Sequence, residues 1–188
     1  MKSGSLYFAG PACALALVTA GCASAPPSPL PPPSTHAVRA VQTESFEQRL
    51  LAAHNAERDR RRLPRLTWSD KLEKDARSWA ERLAHEDRMY HSDKTIRPGE
   101  GENLWSGPPG IYSPEQMVGA FLAERKYFKA GVFPNVSTTG KWADVGHYSQ
   151  VIWPTTTQLG CALAHNKARD YLVCRYSPPG NHFGNRVG

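Results

Sequence analysis

The stretch Gly146-His147-Tyr148-Ser149-Gln150-Val151-Ile152-Trp153 constrains the fold more than any other part of the chain. It is short, aromatic and β-branched, which is the composition of a buried β-strand. With a period of two, His147, Ser149, Val151 and Trp153 share one face, and Tyr148, Gln150 and Ile152 share the other. A histidine at the mouth of such a strand is either a core residue with its hydrogen bonds satisfied or half of a site. The residues around it have to decide between the two.

A chain of 188 residues favours one globular domain with a normal core. The formal charge of +6 points to acidic surroundings such as phosphate-rich envelopes. Its basic residues are scattered, apart from Arg58-Asp59-Arg60-Arg61-Arg62 at the polar end of a predicted helix. No aromatic side chains interleave with that run, so it reads as a solvated helix end and nucleic acid is not an expected partner.

The N-terminus reads as an address. Lys2 supplies a positive flank, and Leu6 to Ala20 is apolar but too short to span a bilayer as a mature helix. It closes on Val18-Thr19-Ala20-Gly21-Cys22, which resembles the lipobox of bacterial lipoproteins. The resemblance implies a leader over residues 1–21 and lipidation of Cys22, giving a membrane partner at the cell envelope. Ala23 rather than aspartate follows Cys22, which implies sorting to the outer membrane; ordinary cleavage near Ala23 or Ala25 and secretion is the alternative. Residues 22–41 hold Pro26-Pro27-Ser28-Pro29-Leu30-Pro31-Pro32-Pro33, a polyproline II spacer reaching roughly 25 Å from the anchor. The folded domain is expected over 42–188.

Cysteine usage agrees with export. Cys13 lies in the leader and Cys22 would carry lipid, which leaves Cys161 and Cys174, one near each end of a predicted hairpin. In an oxidising compartment they are expected to form a disulfide. No cysteine or histidine pair nearby completes a structural zinc set with them.

Helical spacing of Phe46, Leu50, Leu51 and His54 predicts a helix over 44–62, ended by Pro64. A second is predicted over 70–86, with Leu72, Ala76, Trp79, Ala80 and Leu83 inward and Ser69 or Thr67 as cap. Residues 89–105 read as irregular, rich in glycine and charge but closing on Leu104-Trp105. Ser113-Pro114-Glu115-Gln116 is a helix start with cap, proline and capping-box glutamine. In that third helix Met117, Phe121, Glu124 and Phe128 recur at four, three and four, which puts Glu124 on the apolar stripe. A carboxylate there costs several kcal/mol unless a cation, a histidine or a metal partners it. Residues 158–164 and 170–176 form the hairpin, across His165-Asn166-Lys167-Ala168-Arg169. Helices around a small sheet define an α+β fold, a three-layer α-β-α sandwich with a central antiparallel sheet.

Taken together, His54-Asn55-x-x-Arg58, Leu66-x-Trp68, His91-Ser92, Gly101-Glu102-Asn103-Leu104-Trp105, Glu124-x-x-Tyr127, Gly146 to Trp153, Gly160-Cys161-Ala162 and Val173-Cys174-x-Tyr176-x-Pro178-Pro179-Gly180-Asn181 resemble the CAP superfamily. That superfamily joins cysteine-rich secretory proteins, antigen 5 and pathogenesis-related class 1 proteins, and the match runs over about residues 46–184. The resemblance implies a central cavity lined by two histidines and two glutamates, which fall on His91, His147, Glu102 and Glu124. It also implies a divalent cation such as zinc on His91 and His147, with the carboxylates binding it directly or orienting the rings.

Three functions follow. The first is a non-catalytic binding module holding a metal, a small molecule or an envelope ligand. The second is a metal-dependent hydrolase with Glu102 or Glu124 as general base. The third is a lipid- or sterol-binding carrier, which would need an apolar groove. Ser149, two residues from His147, is a weak nucleophile candidate, and His54, Asn55 and Arg58 read as structural. Pro154, where the family often has a basic residue, is expected to end the strand.

Overall fold

The computed structural model describes residues 44–188, so the leader, Cys22 and the proline-rich spacer lie outside the described residues. Helix α1 spans Phe46–Arg60. Its capping box is complete: Ser45 Oγ accepts the Gln48 N–H at 3.2 Å, and Gln48 Oε1 accepts the Ser45 N–H at 2.8 Å. Its inward face is only half apolar. Leu50 is followed at helical spacing by buried His54, Glu57 and Arg58.

Strand β1 (Thr67–Trp68) leads into helix α2 (Asp70–Glu86), which Ser69 caps as its sequence predicts. Six apolar residues of α2, from Leu72 to Ala84, are buried along one face. Strand β2 spans Gly101–Gly107, helix α3 Pro114–Leu122, and a 3₁₀ turn continues α3 over Ala123–Tyr127. Strand β3 (Gly131–Val132) and a further 3₁₀ turn (Trp142–Val145) precede helix α4, Gly146–Val151. The hairpin β4 (Gln158–His165) and β5 (Asp170–Ser177) follows, then β6 (Arg186–Val187).

The main sheet has the order β1-β4-β5-β2. β4, β5 and β2 pair antiparallel, while β1 joins β4 in parallel, so the sheet is mixed rather than purely antiparallel. Cys161 and Cys174 are direct cross-strand partners and form the disulfide expected of them. On one face Leu104, Ala162, Tyr171 and Val173 pack against α2. On the other, Leu159, Leu172 and Tyr176 pack with Leu50, Met117, Phe121 and Val151 from α1, α3 and α4. Two cores on opposite faces of one sheet make the three-layer sandwich. Gly160 is required by one of those contacts, because a Cβ there would overlap the α2 backbone at Leu72 and Glu73.

Three local expectations are corrected. Gly146 to Trp153 is helix α4 and its C-terminal exit, not a strand. Every residue from Tyr148 to Trp153 is buried, so the segment has no solvent face from which a period could be read. Tertiary capping then overrides its β propensity. Pro154 accordingly follows a helix rather than ending a strand. Gly101 to Trp105, read as irregular, belongs to edge strand β2 (Gly101–Gly107); a Cβ at Gly101 would overlap the Gln150 side chain of α4.

Arg58 holds these parts in place. Its side chain is buried and donates to four carbonyls: Pro64 at 2.7 Å, Val151 at 2.9 Å, Trp153 at 3.0 Å and Thr156 at 3.0 Å. Burial lowers its pKa to about 10, which leaves it charged at neutral pH. A cation at the C-terminal end of α4 is also favoured by the helix dipole. Arg58→Ala strips donors from four carbonyls and is expected to destabilise the protein by about 4 kcal/mol, with Arg58→Lys losing about 2 kcal/mol. Denaturant unfolding checks this; an Arg58→Lys variant as stable as the parent would contradict it.

Candidate functional site

Two histidine–carboxylate pairs stand at one cavity of about 610 Å³, with both histidines in its lining. The first joins His91, in the segment after α2, to Glu102 on β2. Glu102 has a side chain with no solvent exposure, and its oxygens are fully engaged. Oε1 takes the Ser92 N–H at 3.0 Å and stands 2.7 Å from His91 Nδ1. Oε2 takes the Ser92 hydroxyl at 2.7 Å and is ion-paired with Arg175 Nη2 at 3.1 Å. Burial alone would raise the Glu102 pKa; His91, Arg175 and Ser92 outweigh it and hold the carboxyl below its usual range.

The second pair joins Glu124 to His147. The carboxylate lies in the 3₁₀ turn after α3 and reaches the start of α4. Oε2 accepts the N–H groups of His147 at 2.9 Å and Tyr148 at 3.0 Å, and Oε1 lies 2.5 Å from His147 Nδ1. A negative group on the first free amides of a helix satisfies those donors and favours the dipole. The stripe glutamate is therefore half-buried and explained by a histidine and a helix end. Phe121 stacks on the His147 ring, with centroids 5.2 Å apart and planes 20° from parallel.

Both imidazoles thus have Nδ1 committed to a carboxylate. Neither Nε2 has a hydrogen-bond partner among the described residues. His91, Glu102 and His147 line the cavity; Glu124 stands behind His147 and does not. The carboxylates brace the rings from the Nδ1 side, and both oxygens of each are already bonded. Among the described residues, no three His, Cys, Asp or Glu side chains converge as a metal cluster.

A buried network anchors the cavity to the core. His54 Nδ1 donates to Leu50 O at 2.8 Å, and its Nε2 accepts the Tyr176 hydroxyl at 2.9 Å. Asn103 Nδ2 donates to Tyr176 at 3.0 Å and to the His147 carbonyl at 3.1 Å. Burial drives His54 down to about 4 and pushes Tyr176 up, so both stay neutral and the chain of bonds keeps one polarity. Ser149 is not a nucleophile candidate here. It is fully buried, and its hydroxyl donates to Asn181 Oδ1 at 2.7 Å.

Sequence reading passed over Arg175, Arg97, Lys94, Phe133, Trp142 and Phe183. Arg175 offered a signal: a charged residue between Cys174 and Tyr176, in a strand otherwise reading as core. It is buried between Glu100 and Glu102. The aromatic residues come from segments 133–142 and 179–183, which meet because β3 pairs with β6 and Phe133 exchanges backbone bonds with Gly184 and Asn185.

Comparison with known proteins agrees with this architecture. The model of the cysteine-rich secretory protein family, CAP, matches residues 51–176. A PR-1 type pathogenesis-related protein of Sambucus nigra is 33% identical over 144 residues, 76% of this chain and 82% of its own length. Pathogenesis-related protein PR-1 of Medicago truncatula is 30% identical over 150 residues, 79% and 82% of the two chains. Among solved structures, that of NaASP2 with Zn2+ superposes with a TM-score of 0.65 at 24% identity, over 77% of this chain and 85% of that one. The chain belongs to the CAP family.

The His54 shift has a pH consequence. Its folded pKa of about 4 lies below the ordinary 6.5, so the unfolded chain takes up the proton first. Stability is whole above 6.5 and is lost as the pH falls toward 4, by about 3 kcal/mol. Glu57, Glu102 and Glu115 are held below 4.5 and lose their contribution only at lower pH. Thermal melts between pH 7 and 5 should show falling stability in the parent and a flatter profile in His54→Gln. Identical slopes would contradict the assignment.

Proposed function

We propose that this is an exported CAP domain acting as a binding module, whose cavity holds a divalent cation on Nε2 of His91 and His147. The observation that carries the reading is that both rings have Nδ1 tied to a carboxylate and Nε2 left without a protein partner. A carboxylate behind an imidazole fixes its tautomer and raises its basicity as a ligand. The donor set fits zinc or a similar borderline ion at an open, exchangeable site, since two protein ligands leave the remaining positions to water or to a bound ligand. The solved relative NaASP2 with Zn2+ supports the same ion here. When bound, the cation would supply a Lewis-acid anchor for an oxygen of the ligand. The residues of this chain orient the two rings, hold Nδ1 protonated and keep the cavity mouth shaped.

Two observations weigh against the hydrolase reading. Both oxygens of Glu102 and of Glu124 are engaged, which leaves neither as a free general base, and the Ser149 hydroxyl is buried and committed to Asn181 Oδ1. The lipid-carrier reading has less support, because charged Lys94, Arg97 and Glu100 share the cavity lining with the aromatic residues. Export rests on the residues 1–21 leader and the disulfide, and anchoring on Cys22; retention of the Cys22→Ala variant at the membrane would remove the lipid anchor.

Calorimetric titration with zinc should show binding that the His91→Ala/His147→Ala double variant loses. Glu124→Gln should weaken it by about 10- to 100-fold while both rings remain. Equal affinity in the parent and the double variant would overturn the site. Chelator-sensitive turnover of peptides or esters by the purified protein would favour the hydrolase instead.

A further inference from the structure

The cavity carries a second pattern that the histidine pairs do not use. Its lining includes two large aromatic side chains left open to solvent: Trp142 is 43% exposed and Phe183 69%. They are not loosely attached. Phe133 is buried and packs on both, with centroids 5.4 Å from Trp142 and 5.3 Å from Phe183. Trp142 also lies against Gly146, where a Cβ would come within 3.3 Å of its ring. Aromatic surface packed on a buried ring and left open in a concave site has no folding reason to stay uncovered.

The same cavity is lined by Lys94 and Arg97. Among the described residues neither has a carboxylate within ion-pairing distance. Arg97 is nonetheless fixed: Nε donates to Ser92 O at 3.2 Å and Nη1 to Glu100 O at 2.7 Å. Carbonyls orient that guanidinium without neutralising it, so its charge remains available to an anion.

From this juxtaposition we infer that the cavity binds a carboxylate-bearing oligosaccharide, with a sugar ring against Trp142 and Phe183 and its carboxylate toward Arg97 and Lys94. A pyranose ring has one apolar C–H face and a hydroxyl perimeter, which suits an aromatic surface beside a wall of polar groups. A sterol or acyl chain would leave Arg97 and Lys94 desolvated and unpaired. A volume of about 610 Å³ lies within the roughly 300–1,000 Å³ of small-molecule sites and admits a short oligosaccharide. The inference rests on the cavity being a ligand site but does not require the cation.

The test uses the purified protein, with tetragalacturonate, the galacturonate monomer and neutral cellotetraose as probes. Binding is read by calorimetry and by tryptophan fluorescence. Tetragalacturonate should bind, more weakly as salt rises, and in preference to cellotetraose. Trp142→Ala and Arg97→Gln should each weaken it by at least about fivefold, with Trp142→Phe recovering most of the loss and melting temperatures confirming folded variants. Binding by the monomer alone, equal binding of cellotetraose, or affinity unmoved by both substitutions would overturn the inference. The His91→Ala/His147→Ala variant separates the two readings. Zinc binding by the parent without saccharide binding defeats only this one, and saccharide binding retained in the double variant supports it independently of the metal.

Discussion

A single buried cation organises the helical layer of this protein. Arg58 leaves α1 toward the interior and donates to four carbonyls drawn from the α1–β1 connection and the exit of α4. Carbonyls left at the end of a short helix need donors, and water cannot reach these. The guanidinium fork meets several of them from one side chain at fixed angles, which an ammonium cannot do. The same geometry fixes where α4 stands relative to the sheet, and α4 carries His147.

From that anchor the polar interior runs toward the cavity in short steps. His54, Tyr176 and Asn103 link the Leu50 carbonyl on α1 to the His147 carbonyl on α4, across the end of β5 and the start of β2. Burial keeps His54 and Tyr176 neutral, and the Leu50 and His147 carbonyls can only accept, so donors and acceptors keep their roles. Glu124 then satisfies the other end of α4 and the His147 ring together, and Glu102, backed by Arg175, does the equivalent for His91. The rings are positioned by hydrogen bonds that terminate in the core rather than by loop packing. A site built this way presents both Nε2 atoms to a cavity without placing a third ligand beside them.

Much of this was legible along the chain. The apolar face of α2, the Ser69 and Ser113 caps, the hairpin and its Cys161–Cys174 pair all follow from local rules, and the structure has each of them. Glu124 drew notice as a carboxylate at an apolar spacing, and its partner proved to be the histidine of the segment read as a strand. Gly146 to Trp153 itself was misread for a physical reason. Its β-branched and aromatic residues have strand propensity, but burial on every side removes the periodicity that would separate helix from strand. Gly101 to Trp105 failed the opposite way: glycine, glutamate and asparagine disfavour a strand, yet pairing with β5 imposes one. The aromatic wall of Phe133, Trp142 and Phe183 left no local trace, because its members meet only through the β3–β6 ribbon.

By itself the sequence determined the class of fold, the starts of α1, α2 and α3 and the disulfide, and its motifs singled out His91, His147, Glu102 and Glu124 as candidates. Those depend on patterns within a few residues, or on motifs whose order survives in one dimension. The tertiary structure alone decided which carboxylate backs which ring, that Glu124 caps α4 instead of facing the cavity, and that the Ser149 hydroxyl is buried against Asn181. It also decided which basic and aromatic residues share the cavity lining. Such relations join residues distant along the chain, and they are set by which buried donors must find acceptors once water has been excluded.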